Sequence, residues 1–72
     1  MFLLRLDDGR ISLLGRIIRT RTAFIAEVYH NGQWNYWPPL TAYLDGSMPW
    51  LEEIEESEVP RYTKMVDDQS RG

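Results

Sequence analysis

Residues 52–58 read Glu-Glu-Ile-Glu-Glu-Ser-Glu, five carboxylates in seven positions, and paired carboxylates are the usual material of acid–base hydrolysis. That chemistry needs one carboxyl raised in pKa by burial in a cleft. A chain of 72 residues has little room to enclose one. Nucleophilic chemistry fares no better: there is no cysteine, and Ser12, Ser47, Ser57 and Ser70 all lie outside a Gly-x-Ser-x-Gly elbow. The single histidine, His30, flanks the tip of a hairpin and reads as an exposed turn residue. Asp7-Asp8-Gly9 and Asp67-Asp68 lack the alternating oxygens of a calcium loop, a lone histidine builds no zinc site, and no glycine-rich phosphate loop occurs. The composition therefore points away from an enzyme and calls for no cofactor and no metal.

What remains is binding. On a helix, Glu52 and Glu56 would repel each other at i, i+4 by a few tenths of a kcal/mol. Glu52, Glu53, Glu55 and Glu56 thus read either as a solvated face opposite the chain's own arginines or as a docking strip for a basic partner. Arg16, Arg19 and Arg21 suggest the opposite chemistry, a nucleic-acid module with Trp34 and Tyr36 as stacking platforms. A net charge of −3 gives that alternative the wrong long-range field.

The charge is unevenly spread. Residues 1–37 carry Arg5, Arg10, Arg16, Arg19 and Arg21 against Asp7, Asp8 and Glu27; residues 38–72 carry Arg61, Lys64 and Arg71 against eight carboxylates. Such a split means two functional surfaces or two halves that attract each other. The 43% hydrophobic content is too high for a disordered chain. No stretch approaches the ~20 apolar residues of a membrane span. With no cysteines to staple a core of this size, packing or self-association must stabilise it. The expectation is a soluble, unexported, cytoplasmic chain that makes no membrane contact and is a candidate homo-oligomer.

The elements that would position these groups are mainly strands. Asp8-Gly9 and Asn31-Gly32 are preferred type I′ dipeptides, so hairpins should join residues 2–6 to 11–14 and residues 22–29 to 34–37. In the first, Leu6 should face Ile11, Leu4 face Leu13 and Phe2 face Gly15, with a bulge at Gly15. In the second, His30 should oppose Gln33, Tyr29 oppose Trp34, Val28 oppose Asn35 and Glu27 oppose Tyr36. Between them, residues 17–22 form either a continuous crossing or a polar turn near Thr20. Pro38-Pro39 ends the last strand. Residues 38–46 suit a short helix presenting Leu40, Tyr43 and Leu44 and closed by Gly46, or a fifth strand. Ser47 is a candidate cap of a turn containing Pro49, Trp50, Leu51 and Ile54, and Ser57 a candidate helix N-cap before Val59, Tyr62, Met65 and Val66 at helical spacing.

The expected fold is α+β and mainly β, a four-stranded antiparallel meander with short helical C-terminal segments, an SH3-like small barrel being the alternative. One domain spans 1–66, with a frayed tail at 67–72. Alternation places Phe24, Ala26, Val28, Asn35 and Trp37 on the core face of the second hairpin and Ile25, Glu27, Tyr29, Trp34 and Tyr36 on the outward face, joined by Arg19 and Arg21. Tyr, Trp and Arg are the types enriched at interface hot spots. Tyr29, Trp34 and Tyr36 then form either a partner site or a surface covered by Trp50, Leu51, Ile54 and Val59. The function implied is a non-enzymatic protein-binding module, an adaptor or inhibitor, acting through Arg19, Arg21, Tyr29, Trp34 and Tyr36 and through the acidic segment, toward a protein partner or a second copy.

Overall fold

Two tight turns set the sheet. Asp8 and Gly9 have φ of 52° and 76°, and Asn31 and Gly32 have 53° and 75°. Positive φ at both central positions is the type I′ signature, whose twist matches that of the flanking strands. In the computed structural model, which describes residues 1–71, these turns join β1 (Phe2–Asp7) to β2 (Arg10–Arg19) and β3 (Phe24–His30) to β4 (Gln33–Tyr36). A polar turn connects β2 to β3: the Thr20 N–H donates to Ala23 O at 2.8 Å, and Thr20 Oγ1 accepts from the Ala23 N–H at 3.0 Å. A fifth strand, β5 (Glu52–Ile54), pairs antiparallel with the free edge of β1. The sheet order is β4-β3-β2-β1-β5, so the fold is α+β with an open antiparallel sheet, and the barrel alternative is not adopted.

The register of β1 on β2 differs from expectation by a displaced bulge. Ser12 lies between Ile11, which faces Leu6, and Leu13, which faces Arg5. The extra residue sits there and not at Gly15, so Leu4 pairs with Leu14 and Leu3 with Gly15. A one-residue slip sends side chains to the other face. Here both outcomes are apolar: Leu3 and Leu4 are each fully buried, on opposite faces, because both faces of the sheet are covered.

One cover is the 3-10 helix Pro38–Asp45, which buries Leu40 against Leu3, Ile17, Ala26 and Leu51. With about three residues per turn, Leu40 and Tyr43 share its inner side. Leu44 falls off it and is 42% exposed, against expectation. Gly46 ends the segment at φ 86°; its N–H donates to Tyr43 O at 3.1 Å and the Ser47 N–H to Ala42 O at 3.2 Å. That pair of bonds is a Schellman closure.

The other cover is α1 (Val59–Ser70), whose Tyr62, Met65 and Val66 pack on Leu4, Ile11, Leu14 and Ile54. It is not capped by Ser57. A 3-10 turn, Glu56–Glu58, precedes it; Glu55 is that turn's N-cap, and the Glu58 carboxylate accepts from the Glu55 N–H at 3.1 Å. With Glu52 in a strand, the helical repulsion with Glu56 does not arise. The tail expected to fray from Asp67 is helical to Ser70, and Gly72 lies outside the described residues. Tyr29 donates its hydroxyl to Asp67, 3.0 and 3.1 Å from the two carboxylate oxygens. The Gln69 side-chain amide accepts from the Ile11 N–H at 2.7 Å and donates to Ile11 O at 3.1 Å, pairing with β2 as a short strand would. Among the described residues no helix is long and apolar enough to cross a membrane.

Candidate protein-binding surface

The second hairpin has the expected register, with Glu27 opposite Tyr36, Val28 opposite Asn35, Tyr29 opposite Trp34 and His30 opposite Gln33. Its expected core face is only partly core. Ala26 is fully buried and Val28 half-buried, but Phe24, Asn35 and Trp37 are exposed. The face expected to point outward is divided. Tyr29 is hydrogen-bonded to Asp67 of α1, and Tyr29 and Trp34 pack at the margin of the cluster of Leu4, Ile11, Leu14 and Val66, whereas Tyr36 is 70% exposed. Ile54, Tyr62 and Met65 pack against the same cluster, whereas Trp50 is exposed and Leu51 packs on the other face.

Trp34 is held on three sides. Its ring meets Tyr29 edge-on at 5.3 Å and Phe2 at 6.1 Å between centroids, and the Arg16 guanidinium lies 4.4 Å from the ring centre. Arg16 Nε and Nη2 both reach Glu27 Oε1 at 2.7 Å. An arginine that stacks and pairs at once is well ordered. Arg16 faces Glu27 across the β2–β3 ladder and Glu27 faces Tyr36, so Phe2, Arg16, Glu27 and Tyr36 form one cross-strand row. In the next row on this face Ile18 opposes Ile25, 40% and 37% exposed.

Arg19 and Arg21 do not join this surface. Arg19 opposes Phe24, which places it on the other face, and Arg21 lies in the β2–β3 turn; both are exposed. The arginine beside the aromatics is Arg16. Its placement follows from the length of the Thr20–Ala23 turn, which sets the parity of β2 against β3, and that is the signal the sequence reading missed. The same division separates the basic groups of the nucleic-acid alternative: Arg16 is occupied by Glu27 and Trp34, and Arg19 and Arg21 lie elsewhere.

The acidic residues lie at the far edge. Glu52 and Glu53 are on β5, and all of Glu52, Glu53, Glu55 and Glu56 are exposed. They are therefore a second surface, separated from Tyr36 by the width of the sheet. Among the described residues no three His, Cys, Asp or Glu side chains converge as a metal site would require.

These features define a small two-sided α+β sheet with one neutral and one acidic edge. Comparison of the chain with protein-family models, with curated proteins and with solved structures finds no match.

Proposed function

We propose that the chain is a non-enzymatic protein-binding module that receives an extended protein segment at the β4 edge, with Tyr36, Trp34 and the Arg16–Glu27 pair forming the adjoining side-chain contacts. The observation that carries this reading is the contrast between the two edges. Exposed edge strands invite pairing, and proteins blunt them with charge, shortness or proline. β5 is three residues long and carries Glu52 and Glu53, so it is blunted. β4, Gln-Trp-Asn-Tyr, is short as well, at four residues, but has no charge and no proline within it, so charge is what separates the two edges. The Trp37 N–H donates inward to Ala26 O at 2.8 Å. In the alternating antiparallel ladder the main-chain groups of Trp34 and Tyr36 then point out from the sheet. Strand addition uses such groups for affinity and the neighbouring side chains for specificity. On this reading the acidic run keeps the other edge solvated and unpaired, and the module acts as an adaptor or inhibitor by occupancy.

The test is selection of a displayed library of random extended peptides against the wild type and against Tyr36→Pro. Proline removes an outward N–H without breaking a bond to β3, a substitution edge strands accept. Circular dichroism establishes that the variant is folded. Peptides enriched on the wild type should lose about tenfold or more in affinity on the variant. Failure of the monomeric chain to enrich any peptide, or equal binding to both proteins, refutes the proposal.

A further inference from the structure

We infer that the occupant of the β4 edge is a second copy of the chain, paired β4 to β4 antiparallel about a two-fold axis; the inference rests on the strand-addition reading above. The outward groups fix the register. Only Trp34 and Tyr36 present main-chain donors and acceptors, so hydrogen-bonded pairs must join these positions, and the alignment that keeps both pairs within the strand sets Trp34 against the partner's Tyr36 and Asn35 against its own counterpart. Residues opposite one another in an antiparallel pair share a face. Trp34 and Tyr36 of both copies therefore form one aromatic ladder, and cross-strand aromatic pairs are favourable. The two five-stranded sheets become one continuous sheet.

Charge favours this partner over other pairings of the same chain. β4 sits four strand spacings from β5, about 19 Å at ~4.8 Å each. That exceeds a Debye length of about 8 Å at physiological salt, so the acidic runs of the two copies barely meet. Pairing β5 with β5 would instead set glutamates against glutamates. Pairing β4 with β5 would be head-to-tail and would not close. The two-fold arrangement closes, and it covers Tyr36, the most exposed of the large hydrophobic side chains. A chain this short also gains from burying more apolar surface than its own core allows.

Sedimentation equilibrium of the wild type, Tyr36→Lys and Glu53→Lys tests the inference, with circular dichroism to establish folding. The wild type should show a monomer–dimer equilibrium with no larger species. Because the two-fold repeats each change, Tyr36→Lys should raise the dissociation constant by about thirtyfold, while Glu53→Lys leaves it unchanged. Raising the salt should leave the dimer in place, since β4 has no charge. Amide exchange, which needs no variant, should show protection at Trp34 and Tyr36 that grows with protein concentration. A chain that stays monomeric to about 1 mM overturns the inference. So does a dimer whose dissociation constant Tyr36→Lys leaves unchanged, one lost in Glu53→Lys, or open-ended association. A monomer that still selects peptides lost on Tyr36→Pro leaves strand addition standing; a monomer that selects none brings both readings down.

Discussion

Gly15→Ala is the sharpest probe of how the sheet meets its 3-10 cover. Gly15 is buried, and a Cβ placed there would lie 2.6 Å from Leu40 Cδ2, 3.3 Å from Glu27 O and 3.3 Å from Leu13 Cδ2. The Leu40 methyl is the end of a flexible side chain, but Leu40 is itself fully buried among Leu3, Ile17, Ala26 and Leu51, which occupy the space it would turn into. The Glu27 carbonyl belongs to the β3 main chain and gives little. Overpacking of this kind costs about 1–3 kcal/mol. Restricting the unfolded chain returns about 0.4–1 kcal/mol. The net expectation is a loss of about 1–2 kcal/mol, a large share of the ~3–5 kcal/mol that a core this size supplies. Urea unfolding followed by tryptophan fluorescence at fixed protein concentration should show the midpoint lowered by about 1 M, given an m-value near 1 kcal/mol/M for small domains. Leu40→Val removes the clashing carbon, so the double variant should be less destabilised than the two single losses predict, with a coupling of about 1 kcal/mol. A Gly15→Ala protein as stable as the wild type, or losses that simply add, would refute the packing argument.

Two further outcomes follow from α1. Burial, then the hydrogen bond and charge of Asp67, raise the Tyr29 hydroxyl above its usual pKa of about 10. The neutral phenol is favoured in the folded state, so its stabilisation is complete below pH ~10 and is lost as pH rises through the raised value. Absorbance titration should show a late-ionising phenol step that Tyr29→Phe removes; a profile whose late end Tyr29→Phe leaves unchanged contradicts the assignment. Gln69→Leu leaves the buried Ile11 main chain without its two side-chain partners, at about 1–2 kcal/mol. For a domain of this size that lowers the melting temperature by roughly 5 °C or more, and a melting curve matching the wild type would show that the Gln69 bonds contribute nothing.

The local features were legible because each is decided within a few residues. Asp8-Gly9 and Asn31-Gly32 specify type I′ turns by their tolerance of positive φ, and the second turn carries the whole β3–β4 register, including Tyr29 opposite Trp34. Pro38 and Gly46 bounded the segment between them without deciding helix against strand, and the spacing of Val59, Tyr62, Met65 and Val66 marked the packing face of α1. The Ser12 bulge was not legible. Where both faces of a sheet are covered, Leu3-Leu4 and Leu13-Leu14 satisfy either register, so alternation no longer reports which side is in.

Tertiary structure alone decided the rest. Nothing in Glu52-Glu53-Ile54 signals a strand; it becomes one because β1 offers a free edge, a partner some fifty residues away in sequence. The same holds for the aromatic face. Its composition identified Tyr29, Trp34 and Tyr36 together, but the first two pack against the cluster of Leu4, Ile11, Leu14 and Val66 and Tyr36 stays in solvent, and the β2–β3 turn brings Arg16 to Trp34 and sends Arg19 to the other side. Residue type and spacing determine what a segment can do in its own turn or strand. Which of its faces is buried depends on contacts whose energy is shared with segments far along the chain, and that energy is absent from any local window.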